Sequence, residues 1–228
     1  MKYLKLYFLV LAALLSGCSS FYQSNSLNVP FINRDGQSTL GLQLGTNGID
    51  VQAATAVDYK FSLMGNVSYS DNATDSIAGH HSHLLVEGAI GMFGYLTTKT
   101  IYEVYAGYGR GFQQSYTRKL HPDKNYLLVK GEFNRYFLQF NTGKIRNKLE
   151  YGGSVRASLV DVFQLKSENL VRSESFLGVF LEPAMVLRYN VSNLKLTTQL
   201  GFSYDVTDNF LLSNQPIIFN LGLMYKFR

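Results

Sequence analysis

The stretch Leu40-Gly41-Leu42-Gln43-Leu44-Gly45-Thr46-Asn47-Gly48-Ile49-Asp50-Val51-Gln52-Ala53 decides the fold. Leu40, Leu42 and Leu44 alternate with Gly41, Gln43 and Gly45, so an extended chain here is apolar on one face and small or polar on the other. Thr46-Asn47-Gly48 follows, and Asn-Gly is the strongest short signal for a tight hairpin turn. Ile49, Val51, Ala53, Thr55 and Val57 then carry the alternation back. These residues predict two antiparallel strands of period two.

The same period recurs through the rest of the chain. It appears in Phe61, Leu63, Val67 and Tyr69, in Leu84, Val86, Ile90 and Met92, and in Tyr102, Val104, Ala106 and Tyr108. It returns in Tyr136, Leu138 and Phe140, in Leu149–Leu159, in Leu177–Tyr189, in Leu194–Tyr204 and in Ile217–Phe227. That makes ten strands, most of them close to the roughly 9–11 residues a tilted transmembrane strand needs. Beyond the first hairpin the connections alternate long and short: 71–81, 94–99, 111–130, 141–147, 162–175, 190–193 and 206–214. Outer-membrane barrels have short periplasmic turns and longer extracellular loops, so a periplasmic start to the first strand puts every long loop outside. The expectation is an all-β, antiparallel, up-and-down transmembrane β-barrel of ten strands, with eight as the alternative count. A soluble sandwich would also alternate, but its polar face would carry more Lys and Glu. Here that face is largely Gly, Ser, Thr, Gln and Tyr.

Upstream of the first strand, residues 19–37 are rich in Ser and Asn and read as a polar tether joining the barrel rim to an anchor. That anchor is Cys18. Lys2 and Lys5 precede an apolar run, Leu6–Leu15, which is too short to span a bilayer, since a helical span needs roughly 20 residues. Ser16-Gly17-Cys18 then resembles the lipobox of bacterial lipoproteins, in which the cysteine thiol is lipidated after cleavage. Cys18 is the only cysteine, so no intramolecular disulfide staples the fold. The expected organisation is a signal peptide over 1–17, a lipidated tether over 18–37 and the barrel over 38–228. Ser19 rather than Asp after the cysteine, by resemblance to lipoprotein sorting rules, implies the outer membrane with acyl chains in the periplasmic leaflet.

The formal net charge of +5 falls to +3 without Lys2 and Lys5, and the basic residues do not cluster, so a nucleic-acid partner is not expected. The partners expected are outer-membrane lipids, the covalent lipid on Cys18 and an envelope protein of unspecified kind. Asn28-Val29-Pro30-Phe31, Gly36, Val51-Gln52-Ala53 and Leu63-Met64-Gly65-Asn66 are diffuse motifs spread over much of the chain. With Glu87-Gly88-Ala89-Ile90-Gly91-Met92-Phe93 and Glu103-Val104-Tyr105-Ala106-Gly107-Tyr108-Gly109, they resemble an uncharacterised family of Bacteroidota outer-membrane barrel lipoproteins. The resemblance implies fold and compartment and no reaction.

Two groups of residues carry chemistry. Glu87, Glu103, Glu182, Arg135, Arg156 and Arg188 fall on the polar strand faces, and small barrels are filled rather than hollow, so these six predict a buried network of ion pairs closing the lumen. His80, His81 and His83 form a second cluster in a long loop, with Asp71, Asp75, Asp205 and Asp208 in the same set of loops. Imidazoles suit Zn or Cu, and omptin-type proteases and lipid A deacylases work at such rims. The local motifs of those enzymes are absent, however. No catalytic residue, metal or cofactor is therefore assigned. A structural, scaffold or surface-interaction barrel is the leading reading, with a rim hydrolase or a small pore as alternatives.

Overall fold

The computed structural model describes residues 22–72, 81–118, 126–167, 175–207 and 216–227. Cys18, His80, Asp75 and Asp208 lie outside the described residues. Eleven extended segments follow one another: β1 (Ser38–Gly45), β2 (Gly48–Ala56), β3 (Phe61–Asn72), β4 (His81–Thr97), β5 (Thr100–Arg118), β6 (Tyr126–Ile145), β7 (Leu149–Ser167), β8 (Phe176–Val191), β9 (Leu194–Phe202), β10 (Tyr204–Asp205) and β11 (Ile217–Phe227). β10 continues β9 past Ser203, because Gly201 faces Ala184 and Tyr204 faces Leu181 in one unbroken register along β8. The eleven segments therefore make ten staves. Neighbouring staves pair antiparallel, and β1 closes on β11 with Leu42 opposite Leu223. Closure removes every open edge, the condition for β-structure in lipid, where an unpaired backbone group has no water to turn to.

Side-chain direction follows the alternation. Leu40, Leu42 and Leu44 stand on the exterior, while Gly41 and Gln43 between them are buried. An apolar exterior of Leu, Ile, Val, Tyr and Phe runs right round the barrel, and the interior combines amides, carboxylates, guanidinium groups and hydroxyls with apolar clusters such as Leu85, Phe133, Val160 and Phe180. The β1–β2 turn is as tight as its sequence demands, with Gly48 at a φ of 103°.

Two expectations change. First, the staves on the long-loop side outrun the membrane. β5, β6 and β7 have 19, 20 and 19 residues, roughly twice what a bilayer needs. The segment 111–130, read as a loop, is mostly a hairpin, with Gly111 opposite Phe133 and Arg118 opposite Tyr126. Its polar composition reads as loop, but beyond the lipid a strand pair needs only its hydrogen-bond ladder. The loops read over 71–81 and 162–175 shrink in the same way, since β3 runs to Asn72, β4 begins at His81 and β7 reaches Ser167.

Second, residues 22–32 of the segment read as a tether to the rim are inside the barrel. Every residue from Tyr22 to Ile32 is buried. A Ser- and Asn-rich segment is buried here because much of this interior is itself polar, and burial costs a polar group little once it is hydrogen-bonded.

Candidate functional site: the occupied lumen

The segment Tyr22–Ile32 is extended but is not paired along its length with a stave, so its backbone groups must find side-chain partners. The lumen supplies them. Gln199 of β9 takes both groups of Leu27: the Leu27 N–H donates to Oε1 at 2.9 Å, and Nε2 donates to the Leu27 carbonyl at 2.9 Å. Asp50 accepts from the Ser26 N–H at 3.2 Å, and Gln52 donates to the Ser26 carbonyl at 3.2 Å. Gln139 donates to the Asn28 carbonyl at 2.6 Å, and Arg188 to the Val29 carbonyl. Glu103 accepts from the Ile32 N–H at 2.6 Å. Asn47, in the β1–β2 turn, donates to the Ser24 carbonyl.

The charged residues form the same cradle. All six of the residues assigned to a lumen network are placed inside the barrel. Arg135 Nε donates to Glu87 Oε1 at 2.9 Å, and Arg156 Nε to Glu182 Oε2 at 2.5 Å. Asn25 sits between the two pairs. Its amide nitrogen donates to Glu87 at 2.6 Å, while its oxygen accepts from Arg135 at 2.7 Å and from Arg156 at 3.0 Å. The Tyr22 hydroxyl accepts from Arg135 at 2.6 Å and donates to Glu182 at 3.3 Å. These ion pairs are arranged around the inner segment, which adds hydrogen bonds to both of them, while Arg156 Nη1 makes no hydrogen bond and stands 3.9 Å from Glu87 Oε2. Added partners of this kind are what make a buried charge tolerable. Glu103 and Arg188 lie lower and contact the segment separately, Glu103 also accepting from Asn141 at 2.8 Å.

Apolar residues fix the register of the segment. The Tyr22 ring packs against Phe133 and Phe180 at centroid distances of 5.7 and 4.3 Å. Phe31 is fully buried with its ring 4.9 Å from the Arg188 guanidinium, and no Cβ could be added at Gly143 or Gly152 without meeting that ring. Phe31 holds a φ of 53°, a left-handed conformation costing a non-glycine residue roughly 1–3 kcal/mol. The slot made by the two glycines holds it there.

Sequence reading missed the inner segment, and with it Asp50, Gln52, Gln139 and Gln199, which bind its backbone. Glu150 and Lys195 were missed as well; they form a third buried pair at 2.6 Å near the short-turn end. The available signal was the number of inward amides on the strands, alongside Tyr22, Leu27, Val29, Phe31 and Ile32 set among polar residues.

The histidine cluster is placed differently from expectation. His81 and His83 belong to strand β4 rather than to a loop, and their rings stand 6.1 Å apart. His83 is buried, with Nε2 3.1 Å from Ser68 Oγ. Ser68 is fully buried too, and no carboxylate meets the other nitrogen of His83 among the described residues. A serine hydrolase needs an accessible hydroxyl and an oriented base; this pair offers neither. An open cleft of about 340 Å³ lies on the outside nearby, lined by Tyr69, Asp71, His83, Phe112, Lys130 and Glu132 among others. Among the described residues no group of three His, Cys, Asp or Glu could hold a metal ion.

No protein-family model matches the sequence, and no curated protein matches it. Among solved structures, the chain is similar to the translocator domain of the autotransporter NalP from Neisseria meningitidis. The TM-score is 0.51 at 11% identity, over 99% of this chain and 96% of that one. It also aligns with the outer-membrane protein Ail of Yersinia pestis (TM-score 0.34, 15% identity, 85% of this chain and 100% of that one). A third alignment is with the KdgM porin in complex with disordered oligogalacturonate (TM-score 0.36, 11% identity, 84% and 99%). The likeness to the NalP domain bears on fold alone. The fold is a closed, ten-stranded antiparallel barrel of the kind found in outer membranes.

Proposed function

We propose that this chain is an outer-membrane barrel lipoprotein sealed by its own amino-terminal segment, with a structural or surface-interaction role rather than transport. The observation that carries the reading is the burial of Tyr22–Ile32 with side-chain partners for its backbone along the lumen. A segment so held is part of the folded barrel rather than a transient occupant. The apolar exterior supports residence in a membrane, and the lipobox-like Ser16-Gly17-Cys18 supports lipidation of Cys18. What such a barrel offers a partner is its long-loop hairpins, built on β5, β6 and β7. The resemblance to Bacteroidota barrel lipoproteins fits this assignment.

Conductance in planar bilayers tests it. The wild-type barrel is expected to be silent. A variant lacking residues 22–32, shown to be folded by a heat-dependent gel shift, is expected to conduct. Steady conductance of the wild type would overturn the sealed-barrel reading in favour of a pore.

A further inference from the structure

The inner segment has a direction, and that direction carries a consequence. Near Gln37 the chain is at the short-turn end. The Gln37 carbonyl accepts from Ala56 N–H at 2.8 Å, the Asn33 side chain accepts from Lys226 at 3.1 Å, and the Tyr95 hydroxyl donates to the Asn33 carbonyl. At Ser24 it is level with Asn47 in the β1–β2 turn, at the opposite end of the barrel. Tyr22 is held there by Phe133 and Phe180, in the half of β6 and β8 nearest the long loops. The segment thus runs the length of the lumen from the short-turn mouth to the long-loop mouth.

We infer that the barrel threads its amino terminus through its own lumen and displays the lipidated Cys18 at the long-loop mouth, on the outer face of the membrane. The inference rests on the reading of Cys18 as the lipidated residue, which itself lies outside the described residues. Reach decides the matter. Cys18 is four residues from Tyr22, a span of at most roughly 14 Å. Phe180, against which Tyr22 packs, is ten residues along β8 from Asn190 at the short-turn end, roughly 25 Å along the barrel axis at the usual strand rise and tilt. The lumen between is occupied by residues 24–32. Cys18 therefore cannot return to the short-turn mouth while Tyr22 is seated. If the long loops are extracellular, the acyl chains enter the outer leaflet. That is the leaflet opposite to the one expected from Ser19. The partner this end of the barrel fits is the outer lipid surface, which a diacylated terminus beside the long hairpins would engage.

Single cysteines read by a membrane-impermeant maleimide test the inference in intact cells. Ser20→Cys reports the amino terminus, Thr207→Cys the long-loop end and Lys99→Cys the turn between β4 and β5 at the other end. Lipidation consumes the Cys18 thiol, so each variant carries one reactive group. The expected result is labelling of Ser20→Cys and Thr207→Cys without permeabilisation, and of Lys99→Cys only after it. A Ser20→Cys thiol that behaves like Lys99→Cys, or a Thr207→Cys thiol shielded in intact cells, overturns the inference. The wild type serves as the separate test of lipidation. If its Cys18 labels, the lipoprotein reading fails, while the side on which it labels still reports whether the chain is threaded.

Discussion

Gln199 satisfies both backbone groups of Leu27, accepting from its N–H and donating to its carbonyl, each at 2.9 Å. The pairing reproduces with one side chain what a neighbouring strand would provide. It shows why an irregular segment can be stable at membrane depth: non-helical backbone is tolerated there only where protein or water completes its hydrogen bonds.

Replacing Gln199 by Leu leaves both Leu27 groups buried and unpaired. Each unsatisfied group costs about 1–3 kcal/mol. The temperature at which the folded gel band converts to the unfolded one is expected to fall, and protease sensitivity of the 22–32 segment to rise. An unchanged transition would show that this contact contributes nothing to holding the segment.

Burial separates two superficially similar ion pairs. Arg156 and Glu182 are fully enclosed, whereas Arg110 and Glu132, paired at 2.6 Å, have side chains 47% and 31% exposed. Arg156→Met strands the Glu182 carboxylate and is expected to cost about 3–5 kcal/mol. Arg110→Met is expected to cost about 0–1 kcal/mol. Urea midpoints of gel mobility for the two variants check the contrast, and comparable midpoints would contradict it.

Phe31 and Gly143 should be energetically coupled. A methyl at Gly143 overlaps the Phe31 ring, and overpacking of this kind costs about 1–3 kcal/mol. Phe31→Ala empties the slot at about 3–5 kcal/mol. The double variant is expected to be more stable than the sum of the two losses, by roughly 0.5–3 kcal/mol for residues in contact. Strict additivity in a double-mutant cycle would mean that Phe31 does not sit over Gly143.

Embedding in lipid predicts a depth profile on the exterior. Leu138, 63% exposed, lies mid-stave, whereas Leu177, 55% exposed, lies near the long-loop end of β8. Lys at position 138 is expected to cost about 2–4 kcal/mol and Lys at 177 about 0–1 kcal/mol. Equal and small effects on unfolding in lipid would indicate an exterior that meets water.

The strands were legible in the sequence because lipid on one side and a polar lumen on the other impose strict alternation. Leu40, Leu42 and Leu44 fall on one face by their spacing alone. The inward direction of Glu87, Arg135 and Arg156 followed from the same parity. The inner segment was not legible. Residues 22–32 have no period, since an extended chain enclosed on all sides has no solvent face, and their Ser and Asn content is what an exposed linker also shows. Polar composition signals exposure only where interiors are apolar. This interior is largely polar. The extent of β5, β6 and β7 was hidden for a related reason, because hairpins standing clear of lipid need no apolar face.

The most direct test of the central claim, that the lumen is filled by the chain's own amino-terminal segment, is cross-linking of Ser24→Cys to Asn47→Cys by a short bis-maleimide in native membranes. Trypsin cleaves after Arg34 and so separates the two positions, and mass spectrometry then shows whether their peptides are joined. The structure predicts a joined pair, since Asn47 donates to the Ser24 carbonyl. Separate peptides from a barrel that still shifts on heating would contradict it, leaving an open lumen with its segment elsewhere.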